Sequence, residues 1–366
     1  MFRRALHLWS LLLSITFLLY GGIPAGASES LATGAGQPST NPADVPHIAL
    51  LLPTGSEAFA KPAEAVRGGF LDASKKQAGT VLPIRLYPVS DDPQSVIDAY
   101  RQAISAGARM VVGPLTRNGV TALATQGDPL SVPTLALNVP DGVTAYGPNL
   151  YTLSLQVEAE ARQSAQLALR EGRLKALTIT EQTALGRRMR DAFVEEFQKG
   201  GGTHVGDHAY ETDSAALERI RQSAAAAEIV FLAVDAPRAR VIRPHVSSLQ
   251  GYGTSQLNPG FKVTAGLIDL SEVRFVDMPW MLQPDHPAVM TYVHDTPREP
   301  DDLERLYALG IDAFRVAQEL LARNRDFEID GVTGRLTLGA DGQVKRGLLV
   351  ALIADGKLSV VGETRP

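Results

Sequence analysis

Short apolar runs alternate with stretches of helical apolar spacing along most of this chain. Ile48 to Leu52 is a continuous apolar run, as a strand buried on both sheet faces requires. Pro53, Thr54, Gly55 and Ser56 break it with turn-forming residues. Apolar positions then recur at Ala63, Val66, Phe70 and Ala73, the spacing of an amphipathic helix. The segment therefore predicts the first βα unit of an open parallel sheet, in which ligands bind beyond the carboxyl ends of the strands.

The alternation continues. Val81–Tyr87, Arg109–Val112 and Thr134–Leu137 read as strands, separated by helices near Gln94–Ser105 and Asn118–Gln126. Leu150–Leu155 interrupts the rhythm, because no helix separates it from the turn-rich stretch before it. A second series follows: helix Glu158–Arg170, strand Ala176–Thr180, helix Arg187–Lys199 and strand Thr203–Tyr210. It runs on through helix Ala215–Ala225, strand Ile229–Val234, helix Pro237–Leu249 and strand Lys262–Ile268. Val273–Met278 is again a strand without its helix. A long helix from Asp302 to Ala322 carries Leu303, Tyr307, Gly310, Phe314, Ala317 and Leu321 on one stripe. Arg335–Leu338, Val344–Ile353 and Lys357–Val361 close the chain as short strands, with Asp341-Gly342 and Asp355-Gly356 as hairpin turns.

Two βα series separated by helix-free strands predict an α/β fold of two Rossmann-like lobes with parallel sheets. Strands near residues 150, 275 and 330 are expected to cross between them. The division is 47–150 with about 280–328 for the first lobe and 151–275 with about 329–366 for the second.

The N-terminal residues carry export information rather than fold. Arg3 and Arg4 precede a short apolar core, Leu8 to Leu19, and Ala25-Gly26-Ala27 supplies a signal-peptidase site. That core falls short of the ~20 residues that span a bilayer. Residues 1–27 are read as a cleavable signal peptide and 28–46 as a flexible leader rich in Ser, Gly, Pro and Thr. No later segment is long and apolar enough to span, so the mature chain is expected to be periplasmic.

The 366 residues include no cysteine, which excludes disulfides, thiol catalysis, Cys-based metal sites and lipid attached to a cysteine. Composition is 45% hydrophobic and 20% charged, and the net charge of −5 comes with no block of Lys and Arg, so nucleic acid is not an expected partner.

No catalytic signature is present: there is no G-x-S-x-G, H-E-x-x-H, Walker A or post-strand G-x-G-x-x-G. An enzyme is not expected, nor any cofactor. His204, Asp207 and His208 come nearest to a metal cluster, but on a strand the histidines point the same way ~13 Å apart at ~3.3 Å per residue, and no metal is expected. Asp91-Asp92 ahead of Pro93 reads as a helix cap, not as paired acid/base carboxylates.

Candidate cleft residues come from strand ends: Thr54, Ser56, Thr116, Asn118 and Asn138 in the first lobe, Gln182 and Asp235 in the second. Their hydroxyls, amides and carboxylate suit a small polar ligand beside helix N-termini. Arg187, Arg188 and Arg190, with Arg238, Arg240 and Arg243, make the second lobe locally basic, either as solvated helix faces or as carboxylate recognition. Arg238, Arg240, Arg243 and Trp280 are the candidates for contact with a partner protein.

The turn after the first strand, Ser90-Asp91-Asp92-Pro93, Val112-Gly113-Pro114-Leu115 and Gly331-Val332-Thr333-Gly334-Arg335-Leu336 resemble type I periplasmic solute-binding proteins. Ile48–Pro53 (IALLLP), Arg238–Pro244 (RARVIRP), Val273–Trp280 (VRFVDMPW) and Leu306–Arg315 (LYALGIDAFR) together resemble the solute-binding-like domain of the LppC/LpoA-type penicillin-binding-protein activators. That resemblance implies a non-enzymatic regulator at the periplasmic side of the outer membrane, stimulating a peptidoglycan synthase (a class A penicillin-binding protein) by contact. The sequence departs from the family pattern in having no lipidated cysteine and no helical-repeat N-terminal domain. Relative to amino-acid binders of the superfamily, Leu115-Thr116-Arg117-Asn118 and Leu137-Asn138-Val139-Pro140 are bulky and poor in hydroxyls. The alternative is a solute-binding receptor of an ABC transporter, taking a small polar ligand such as an amino acid or a cell-wall fragment.

Overall fold

The computed structural model describes residues 45–90, 92–143, 145–258, 260, 267–292 and 300–365. The expected signal peptide, and the leader up to residue 44, lie outside the described residues. Among the described residues no helix is long and apolar enough to cross a membrane.

The chain builds its first lobe from β1 (His47–Leu52), α1 (Ala60–Lys76), β2 (Ile84–Pro88), α2 (Pro93–Ser105), β3 (Ala108–Val112), α3 (Arg117–Thr125), β4 (Thr134–Ala136) and β5 (Leu150–Leu153). It then passes to the second lobe through α4 (Val157–Arg170), β6 (Lys175–Thr180), α5 (Ala184–Lys199), β7 (Thr203–Ala209) and α6 (Ser214–Ala224). β8 (Ile229–Ala233), α7 (Ala236–Ile242), β9 (Gln250–Gly253) and β10 (Val273–Asp277) complete that series. The chain returns with α8 (Pro279–Leu282), α9 (Pro287–Thr291), α10 (Asp301–Leu321), β11 (Glu328–Asp330), β12 (Arg335–Leu338) and β13 (Gln343–Gly347). β14 (Leu349–Ala354) and β15 (Lys357–Glu363) finish in the second lobe.

The first sheet has eight strands in the order β11-β12-β13-β5-β4-β3-β1-β2, and the second seven in the order β15-β14-β10-β9-β8-β6-β7. Both are parallel through their centres and end in antiparallel strands, β12 and β11 in one and β14 and β15 in the other. Strand alternation sorts the core onto two faces. Ile48, Leu50 and Leu52 face α1 and α10, while Ala49 and Leu51 face the opposite cluster with Val96, Tyr100 and Val120. In β8, Val230 and Leu232 join one cluster and Phe231 the other, where its ring stacks on Phe193 at 4.0 Å.

α1 and α10 cross where both lack a side chain. A Cβ on Gly69 would lie 1.9 Å from the Tyr307 carbonyl oxygen, and one on Gly310 2.1 Å from that of Val66. The two backbones touch there, which only glycine permits. α10 is also buried beyond its apolar stripe, with Asp312 and Glu304 inside the protein.

The crossings between lobes fall at residues 154–156, at Met278 and at Leu348. The third differs from the expectation near residue 330. Val344–Ile353 reads as one strand in the sequence, but it is two, paired in different sheets on either side of Leu348. Its apolar run is continuous, and a hydrophobic pattern does not encode which sheet supplies the hydrogen bonds. Residues 328–347 consequently add strands to the first sheet rather than the second. The expected helix Pro237–Leu249 stops at Ile242 and continues as a short turn to Val246, and the strand β9 (QGYG), not expected from the sequence, follows it. Two glycines and no β-branched residue hid that strand. Of the expected strand Lys262–Ile268, residues 262–266 lie outside the described residues, and Leu267 and Ile268 form a helical turn.

Candidate functional site

The strand ends of the first lobe open onto a cavity of about 470 Å³ lined by Phe59, Pro62, Leu115, Thr116, Asn118 and Leu306, among others. A second cavity of about 320 Å³ reaches across to the other lobe, from Arg117, Leu137 and Asn138 to Glu158, Leu185 and Arg188. Thr116, Asn118 and Asn138 thus share one space, whose walls are chiefly apolar. Thr54 and Ser56 lie in the turn after β1, and Ser56 lines a separate depression with Ser90 and Asp92. Gln182 and Asp235 line neither cavity.

Several candidate polar groups are engaged by the backbone. Thr116 Oγ1 accepts the Gly119 N–H at the start of α3. Asn138 donates to the Leu115 carbonyl at 3.1 Å and accepts the Val139 N–H at 3.0 Å. Asp235 caps α7 by accepting the Arg238 N–H at 2.9 Å and also pairs with the Arg238 side chain. Asp92 caps α2 in the same way, accepting the Gln94 N–H at 3.1 Å with Pro93 as the first helical residue. Asp91 lies outside the described residues.

The charged groups of the cleft pair with one another. Glu158, at the start of α4, lies 3.1 Å from Arg188 of α5 and 3.8 Å from Arg117 of α3 in the other lobe. Arg117 also reaches Asp141 at 2.9 Å. A ligand carboxylate would compete with Glu158 for these guanidiniums, so the chain's own carboxylate already engages the cations that line the open cleft.

The partner-contact candidates divide. Arg240 is part-exposed and pairs with Asp269 at 2.9 Å. Arg238 is held by Glu181 at 3.1 Å and by Asp235, with its guanidinium over the Tyr210 ring. Arg243 requires correction as a surface contact. It is 4% exposed and donates to the carbonyls of Ser271, Val246 and Ser247, and burial pushes its guanidinium below the ordinary value. Trp280 requires the same correction. It is 4% exposed in the first-lobe core, donates from Nε1 to Glu304 at 2.8 Å and packs against Tyr307. Indole burial and a satisfied N–H make it a core residue.

The histidine pair is split by a bulge in β7, where the register with β6 shifts after His204. His204 and Asp207 both reach Thr178, while His208 turns to Ser223 of α6. The expectation that both histidines point the same way fails for that reason. Among the described residues no group of three or more His, Asp or Glu is placed to hold a metal ion. Burial opposes charge on Asp207, but hydrogen bonds from Thr178, Arg190 and Thr180 outweigh it and hold the carboxyl below its ordinary value. Such a group stabilises the fold above the unfolded Asp value of about 4, and that contribution is lost as pH falls through the lower folded value. Asp207→Asn is expected to cost about 1–2 kcal/mol near neutrality. The gap to the parent chain in urea unfolding should shrink toward pH 3; a gap that persists there would contradict this.

Sequence reasoning missed a densely bonded polar region, the lobe junction. Asp277, at the end of β10, forms a two-armed pair with Arg305 of α10, one arm at 2.8 Å. It also accepts the Met278 N–H and the Asn258 side-chain amide. Glu160 of α4 accepts the Ser255 N–H at 3.1 Å and lies 3.6 Å from Arg346 of β13. Burial pushes Glu160 up, and Arg346 opposes it. Asp312 accepts from Val332 and Thr333. A charge embedded in an apolar run, as in VRFVD and LGIDAF, was the available indication, because such charges are buried only with partners. The segments that carry the family resemblance therefore map largely onto β1, the junction and α10, not onto one exposed surface.

A family model described as "LppC putative lipoprotein" matches residues 40–356. The "Penicillin-binding protein activator LpoA" of Pectobacterium parmentieri is 26% identical over 332 residues, covering 76% of this chain and 48% of that protein. The chain spans about half the length of the curated relatives it matches. Among solved structures, the C-domain of LpoA (YraM) from Haemophilus influenzae, "a regulator of PBP1A", is similar at TM-score 0.73 and 25% identity, over 86% of this chain and 99% of that one. A protein from Chromobacterium violaceum described as a "putative branched-chain amino acid ABC transporter" matches at TM-score 0.72 and 36% identity, over 84% of this chain and 100% of that one.

Proposed function

The chain belongs to the LppC family, and from that premise we propose that it is a non-catalytic activator of a class A penicillin-binding protein, acting in cell-wall synthesis by protein contact. The observation that favours this reading over ligand capture is the Arg117–Glu158–Arg188 cluster, in which the chain's own carboxylate engages the guanidiniums that line the cleft. The match across nearly the whole H. influenzae C-domain supports the same reading. On this proposal the chain works in the periplasm, exported by residues 1–27. Arg240 and Arg238, part-exposed and fixed by their ion pairs, are the candidate contacts on the second lobe. A charge at an interface rim acts mainly on association rate, so Arg240→Glu should slow binding more than it speeds dissociation.

The second reading, a solute receptor, is favoured by the C. violaceum likeness. One experiment separates the two: the purified chain is immobilised and titrated with the soluble periplasmic part of a class A penicillin-binding protein. In parallel, its melting is followed with branched-chain amino acids and muropeptides. The activator reading expects saturable binding and no large thermal shift. A receptor saturated at about 100 times its dissociation constant would gain about 2.7 kcal/mol, and that gain without synthase binding would reverse the assignment.

A further inference from the structure

Bonds tie the lobes together at and beside all three crossings. At the second crossing, Asp277 of β10 holds Arg305 of α10, an element of the first lobe. At the third, Arg346 of β13 faces Glu160 of α4 and donates to the Thr333 carbonyl at 3.1 Å. The Gln163 amide of α4 donates to the Arg346 carbonyl at 2.9 Å, and its carbonyl oxygen accepts from Thr364. Thr364 in turn accepts the Leu348 N–H at 2.7 Å. Beside the first crossing, Arg117 of the first lobe lies 3.8 Å from Glu158, the second residue of α4 in the second lobe. Arg335 of β12 reaches Glu363 of β15 at 2.9 Å beside the third crossing, where their strand partners are Gly347 and Leu349.

A clamshell opens by rotating one lobe about its crossing strands, with a few residues absorbing the change. Here the residues flanking the crossings are buried, charged and paired across the joint. Breaking such a pair exposes an uncompensated buried charge. The further bridges sit beside the first and third crossings, so each crossing has an ion pair that links the two lobes across it.

We propose that these cross-lobe ion pairs lock the two lobes into one rigid body, so that the cleft does not open and close. The proposal deepens the activator reading, since a fixed pair of lobes presents an unchanging contact surface. Its test reads lobe motion alone, so it succeeds or fails independently of synthase binding.

The absence of native cysteine lets two introduced thiols report without background. Spin labels at Ala58→Cys and Ala184→Cys, both exposed positions on opposite lobes, give the inter-lobe distance by double electron–electron resonance. The locked chain is expected to show one narrow distribution, with any open form below about 1%, unchanged by branched-chain amino acids or muropeptides. Adding Glu158→Ala and Arg335→Ala, which remove the bridges beside the first and third crossings together with the pairs these residues make to Arg188 and Glu328, should broaden the distribution or add a longer distance, with circular dichroism unchanged. Two populations in the unaltered chain, or a distance that shifts with an amino acid, would overturn the lock. A distribution that stays narrow in the double variant would overturn the role of these bridges.

Discussion

Asp277→Ala is expected to destabilise the protein by about 3–5 kcal/mol, the usual cost of breaking a buried ion pair from one side. Asp277 is 1% exposed, and its two oxygens serve Arg305, Asn258 and the Met278 N–H. Burial alone would push the Arg305 guanidinium down, yet the Asp277 carboxylate more than offsets this and holds it above its ordinary value. Alanine would leave that cation buried beside Glu160, too distant for a direct bond to compensate. Replacing both partners with apolar residues, Asp277→Leu with Arg305→Met, should recover much of the loss, because no charge is then left uncompensated. Urea unfolding of the two single variants and the double variant measures the coupling. A single-variant cost under about 1 kcal/mol would show that the pair is solvated and not a cross-link.

Trp280→Ala should cost a similar amount, about 3–5 kcal/mol, from lost burial and the cavity left behind. The ring packs with Met278, Met281 and Val289 in the first-lobe core, tilts against Tyr307 at 5.5 Å and donates to Glu304. Trp280→Phe keeps an aromatic ring but gives up part of the indole volume together with the N–H donor to Glu304, so a smaller loss of about 1–3 kcal/mol is expected. Both variants should lower the melting temperature, and Trp280→Phe should bind a synthase as tightly as the parent chain at temperatures where it is folded. A Trp280→Phe chain that melts normally and loses synthase binding would return this residue to the contact surface.

Much of the fold was legible because its information is local. β1 is buried on both faces, so its apolar run is unbroken, and α1 follows with one apolar stripe. The cap of α2 is likewise visible as Asp92-Pro93, whereas Thr116, read as a cleft residue, caps α3. What stayed hidden depends on partners distant in the chain. Leu348 divides an apolar run between two sheets, and only the identity of each neighbouring strand decides that. Arg238, Arg240 and Arg243 look alike as a basic cluster. The turn of α7 sends Arg240 outward to Asp269 and Arg243 inward to backbone carbonyls. Of the cleft residues, Thr116, Asn118 and Asn138 converge because the ends of adjacent parallel strands must. The ions that line the cleft, Arg117, Glu158 and Arg188, belong to three different helices, and no spacing in the sequence joins them.

The central claim is that this chain acts on a synthase rather than on a solute. Its most direct test is the rate of glycan polymerisation and peptide cross-linking by a purified class A penicillin-binding protein, measured with rising amounts of the chain. Saturable stimulation, unaffected by branched-chain amino acids, is the predicted result. An unchanged rate at concentrations well above those that saturate an amino-acid-induced thermal shift would contradict it.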